Sequence, residues 1–185
     1  AKAYKDQVIF AKNEVLKKDG TPYRVFTAYK NKWLEHSANI SMRPLEMPTN
    51  ANYYRNNCPL PSYSALSFVA SSIQARPFSL DILPSYEQKR DTPNQSTSDL
   101  GPHLRFGTVS CRQIIDQLGL DDHIFMSELI WREFFFQLLY HFPDSAQHNF
   151  KPAYDGVQWR NNTEEFQKWC TGQTGYPMVD AGMRE

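Results

Sequence analysis

Apolar side chains are densest between Ser127 and Tyr140. On a 3.6-residue period Ile130, Phe134 and Leu138 form one row and Trp131, Phe135 and Leu139 another. The spacing therefore predicts a helix that is hydrophobic nearly all round and lies inside its domain. Glu128 and Arg132, four apart, share a face with Trp131 between them, so an acid, an indole and a fork of guanidinium donors meet on one helix. Spacing alone allows two readings of this trio, an intrahelical ion pair beside a core tryptophan or a binding surface.

Elsewhere the pattern is weaker. Asp6–Phe10 reads as a short strand, and Asp19-Gly20-Thr21-Pro22 as a turn whose Thr21 and Pro22 suit the cap and first turn of a helix from about Tyr23 to Leu34. From Ser37 to about Ser64, four prolines and an asparagine-rich run replace any period, which predicts a linker. Ser62–Arg76 is weakly periodic and ends at Arg76-Pro77-Phe78, ahead of a second loop reaching Tyr86–Asp91. Thr97-Ser98-Asp99-Leu100-Gly101 reads as a helix opening. Ser110 and Gln113 form a capping-box pattern before Ile114, Ile115 and Leu118, with Gly119 as the stop. Everything downstream is expected to be helical, ending with a helix that has Pro177 near its first position and Asp180 in its first turn.

Composition narrows the class. Twenty acidic residues balance twenty basic ones and 41% of residues are hydrophobic, which excludes a disordered or supercharged chain. Nucleic-acid binding would have to come from a local basic groove. Cys58, Cys111 and Cys170 lack metal-ligand spacing and are expected to be reduced core thiols of a soluble, cytoplasmic protein. No segment has signal-peptide architecture or the length to span a bilayer. The five histidines have no ligand spacing and no glycine loop has the P-loop pattern.

The run Ser-Glu-Leu-Ile-Trp-Arg-Glu-Phe from Ser127, then Phe142-Pro143, Trp159, Trp169 and Gly172–Arg184 resembles the DNA photolyase and cryptochrome family, most closely the bacterial cyclobutane pyrimidine dimer photolyases. Gly20–Leu34 resembles the end of that family's amino-terminal α/β domain. The resemblance covers essentially the whole chain. It implies a mainly α fold, a partial helical FAD-binding domain over 65–185, preceded by a remnant of the Rossmann-like α/β antenna domain over 1–36 and an interdomain linker over 37–64. Both ends then read as cut, and this stretch alone is expected to be inactive and to bind FAD weakly or not at all.

The resemblance also implies roles. Tyr86, Thr97, Ser98, Asp99, Leu100 and Gly101 match the segment that holds the FAD pyrophosphate, and Arg132 adds a guanidinium to that phosphate region. Gly101 stands where the family's Thr-Ser-x-Leu-Ser signature has a second serine, and the spacing from Tyr86 to Thr97 is one residue short of the pattern. Glu128 and Trp131, with Phe135 beside them, match the positions that face the lesion, and Arg90 one that reaches the DNA backbone. Trp159 matches the solvent-side member of an electron relay, while Trp169 reads as packing only. The implied activity is light-driven splitting of pyrimidine dimers in damaged DNA. The implied cofactors are FAD and a folate or deazaflavin antenna, in a protein expected to be monomeric. A cryptochrome-type photoreceptor shares nearly all of these residues.

Overall fold

The computed structural model describes residues 5, 7–45, 59–69, 71–92 and 94–184. Among them it has seven α-helices and no strands: α1 (Phe26–Ser37), α2 (Tyr86–Lys89), α3 (Leu100–Phe106), α4 (Cys111–Ile115), α5 (His123–His141), α6 (Thr163–Cys170) and α7 (Pro177–Arg184). The mainly α expectation stands. The centre of the linker, 46–58, and with it Cys58, lies outside the described residues.

Helix α5 is the axis, and it packs most extensively against α1. Its buried side carries Phe125, Leu129, Ile130 and Phe134, which meet Tyr29 and Trp33 of α1, Ile9, Phe10 and Val15 of the amino-terminal segment, and Leu104 and Ile114 from α3 and α4 in one core. The helix is not buried all round. Phe135, Leu139 and Tyr140 are exposed, so the row through Ile130 and Phe134 faces the core, while of the other row only Trp131 packs against it.

Residues 7–10 form no strand, because side chains of α5 take up their backbone groups. The Glu133 carboxylate accepts the amides of Ile9 at 2.6 Å and Phe10 at 3.2 Å, Gln137 Nε2 donates to the Phe10 carbonyl at 3.3 Å, and His141 Nε2 donates to the Lys12 carbonyl at 2.7 Å. Glu133, Gln137 and His141 are spaced by four, so one polar row of α5 runs along the segment. Glu133 also accepts the Tyr29 hydroxyl at 3.2 Å and the Trp33 indole N–H at 2.9 Å. One buried acid thus joins the amino-terminal segment, α1 and α5. Burial raises its pKa above the ordinary 4.5 despite these donors, and burial followed by the nearby Glu133 charge raises that of the Tyr29 hydroxyl.

Several boundaries differ from the sequence expectation. Helix α1 begins at Phe26 because Val25 is still extended, and Thr21 and Pro22 do not cap it. Thr21 instead closes a turn on Asp19, with its amide at 3.0 Å and its hydroxyl at 2.7 Å from the Asp19 carboxylate, while Gly20 supplies φ +78° and Pro22 bridges to Leu16. The described residues of Ser62–Arg76 form no helix. Helix α3 starts at Leu100, later than the Thr97-Ser98 opening, since Asp99 sits at φ +51°. The Ser110–Gln113 capping box is present, but α4 ends at Ile115, ahead of Gly119. Residues 142–162 are short 3-10 turns and irregular chain, not continuous helix. Cys111 is buried as expected, whereas Cys170 is exposed on α6. Helix α7 opens at Pro177, with Asp180 accepting the amide and hydroxyl of Thr174 and the amide of Gly175. Those hydrogen bonds, the Thr174 hydroxyl first, hold the Asp180 pKa below the ordinary 3.8. Among the described residues no helix is long and apolar enough to cross a membrane.

Candidate functional site

The half-exposed side of α5 carries the charged and aromatic residues together. Glu128 is bonded to Arg90, just past the end of α2, and not to Arg132, its neighbour at i+4. Tyr86 packs edge-on against Phe125 at 4.9 Å, so an aromatic contact and an ion pair both dock α2 on α5. The Glu128 hydrogen bond raises the Arg90 pKa. Burial, then the Glu128 charge, raises that of the Tyr86 hydroxyl, against the pull of Arg90.

One turn further along α5, Trp131 is half-buried among aromatics. Phe26 of α1 stacks on it at 3.5 Å with 10° between planes, and Phe135 lies near-parallel at 5.5 Å. Phe26 therefore covers one part of the indole, and Phe135, 54% exposed, is the open part of the platform. Offset aromatic faces of this kind accept a further flat ring.

Thr97 borders two open hollows. One, of about 440 Å³, is lined by Arg76, Asn94, Gln95, Ser96, Asp99 and Arg184 besides Thr97. The other, of about 390 Å³, includes Ser79, Ser85 and Lys89. Hydroxyls and three cations, with Asp99 and Asp81 as the opposing acids, make a donor set suited to an oxyanion. The backbone of Ser98 is fixed by the Ser79 amide on its carbonyl at 3.1 Å. A Cβ on Gly101 would meet nothing within 4 Å, so the space a serine would fill is open. Leu100 is buried beneath.

Arg132 lies apart from these hollows. Its Nη1 donates to the Gln7 carbonyl at 2.7 Å and to the Cys111 sulfur at 3.3 Å, and Nη2 to the Leu104 carbonyl at 3.2 Å, with the guanidinium 4.8 Å from the Phe136 ring. It ties α5 to α3 and to the amino-terminal segment. Trp159 stands on irregular chain and is 72% exposed. Trp169 stacks on Phe166 at 5.8 Å, and both rings are exposed on α6.

Sequence reasoning missed Glu133 and Phe26. The signal for Glu133 was an acid on the apolar face of the densest helix, where a charge needs partners. Nothing in the local pattern marks Phe26 as the ring that lies on Trp131.

The family model for the FAD binding domain of DNA photolyase matches residues 125–185, which include α5 from Phe125 onward, α6 and α7. Along the rest of the chain the relatives carry the likeness. A deoxyribodipyrimidine photo-lyase of Halobacterium salinarum is 33% identical over 214 residues, covering 98% of this chain and 44% of the relative. That of Escherichia coli is 33% identical over 205 residues, covering 98% and 43%. That of Agrobacterium fabrum is 41% identical over 112 residues, covering 56% and 23%. Residues 125–185 thus match the FAD binding domain of DNA photolyase, and nearly the whole chain is similar to part of these photo-lyases. The relatives all bear the name deoxyribodipyrimidine photo-lyase, and the chain spans less than half of their length.

Proposed function

We propose that the intact protein is a light-driven DNA repair flavoenzyme acting on cyclobutane pyrimidine dimers. The observation that carries this reading is the grouping of Arg90, Glu128, Trp131 and Phe135 on the exposed side of α5, within or beside the segment matched to the photolyase flavin domain. When bound, FAD in its reduced, photoexcited form supplies the electron that opens the cyclobutane ring. The rest is the work of this chain's residues.

Thr97, Ser98, Asp99, Leu100 and Gly101 line or support the hollow that takes the flavin's phosphates, beside Tyr86 on α2. The hydroxyls and nearby cations hold the oxyanions there. Arg132 serves this site from beneath, fixing α3 through the Leu104 carbonyl. Trp131 and Phe135 receive a dimer flipped out of the duplex, and Glu128 accepts hydrogen bonds from base edges. Arg90 meets the DNA backbone. Trp159, oxidisable and open to solvent, is the outer end of an electron relay to the flavin.

A photoreceptor would share the flavin hollow but has no need of a stacking platform with an acid beside it. The two are separated by binding. The intact protein is expected to bind a dimer-containing duplex at least about tenfold tighter than an undamaged one, a difference of about 1.4 kcal/mol. Equal affinity would favour the receptor. The double variant T97V/S98A is expected to be purified with less FAD than wild type, measured from the visible flavin absorbance, with an unchanged melting curve for the apoprotein. Full retention of flavin would remove these residues from the site.

A further inference from the structure

The Arg90–Glu128 pair joins two residues to which the repair reading gives different targets, a phosphate for Arg90 and base edges for Glu128. In this structure they bond to each other, and the exposed carboxylate of Asp91 lies 3.8 Å from the Arg90 Nε. The bond runs from Arg90 Nη1 to one carboxylate oxygen of Glu128, so a phosphate that takes Nη1, or a base edge that takes that oxygen, competes with it. Both side chains remain about a third exposed, 34% and 39%. An ion pair this open to water is weak enough for a phosphodiester to displace the carboxylate. The exchange leaves the helices in place, because Tyr86 still holds α2 on Phe125.

We propose that the pair is a latch. With no DNA bound, Glu128 occupies the guanidinium of Arg90 and so weakens sequence-independent binding to duplex. Engagement of the backbone by Arg90 releases the carboxylate to face a flipped lesion. Glu128 then acts twice, as a brake on undamaged DNA and as a contact for the damaged bases. This rests on the reading that the intact protein binds dimer-containing DNA.

The test is the affinity of the intact flavoprotein for undamaged and dimer-containing duplexes over a range of salt, in wild type, E128Q, R90Q, E128Q/R90Q and E87Q. Glu87 carries the same charge on α2 and controls for the simple loss of an acid near DNA. E128Q is expected to bind undamaged duplex a few-fold tighter, with a salt dependence steeper by about one counterion, since one guanidinium is freed. R90Q and the double variant are expected to lack that gain, and E87Q to stay close to wild type. The latch is overturned if E128Q leaves undamaged binding unchanged, or if the double variant or E87Q gains as much. Wild type that prefers dimer DNA in that same experiment would leave the repair reading standing while the latch fell. Wild type that binds neither duplex would remove both.

Discussion

Replacing Glu133 with alanine is expected to lower the free energy of unfolding by at least about 3 kcal/mol, since four donors lose their acceptor and each unsatisfied buried donor costs about 1–3 kcal/mol. These hydrogen bonds join the amino-terminal segment, α1 and α5 at one buried point. Glutamine is expected to recover only part of the loss, because its amide nitrogen presents donors to donors. The ionisation has its own signature. With its folded pKa raised above 4.5, the protonated carboxyl favours folding. That contribution is fully present below the unfolded value and is lost as pH rises through the folded one. Denaturant titrations across this range should show wild type losing stability upward from about pH 4.5, a component that E133Q lacks. A wild-type curve flat over that interval would mean that the donors outweigh burial.

The second large effect is at Trp131. In the intact protein W131A is expected to weaken binding of dimer-containing DNA by about one to two orders of magnitude, the worth of one or more lost stacking contacts at about 1–3 kcal/mol per base. Binding of undamaged DNA, which offers no flipped base, should change little. Because Phe26 also rests on the indole, the alanine variant loses some packing. W131F keeps a flat ring against Phe26 and is expected to retain most of the fold's stability and an intermediate lesion affinity. Equal losses on damaged and undamaged duplexes would mean that Trp131 acts only through the fold.

The sequence reveals most where local chemistry decides the outcome. The Ser110–Gln113 box and the Pro177 start depend on neighbouring backbone groups, and both are present in the structure. The density of apolar residues in α5 marks the central helix, yet periodicity alone assigns Phe135 and Leu139 to the interior, where the structure leaves them exposed beside a half-buried Trp131. Exposed apolar side chains obey the same period as buried ones, so only the tertiary arrangement separates them. Asp6–Phe10 reads as a strand because Val8, Ile9 and Phe10 are β formers. A carboxylate far along the chain took the place of a strand partner, and no local pattern encodes that. At the candidate site the residue types were legible, while the pairings were not. Arg132 and Glu128 are ideally spaced for one another and each bonds elsewhere, Arg132 to backbone carbonyls and Glu128 to Arg90.

The most direct measurement is of repair itself. The intact protein, with its flavin reduced, is mixed with an oligonucleotide bearing one thymine dimer and illuminated with blue light, beside a dark control. The account predicts restored thymine absorbance in the light, none in the dark, and a strongly reduced rate for W131A at subsaturating DNA. Dimers left intact by a fully flavin-loaded, reduced protein under illumination would contradict it.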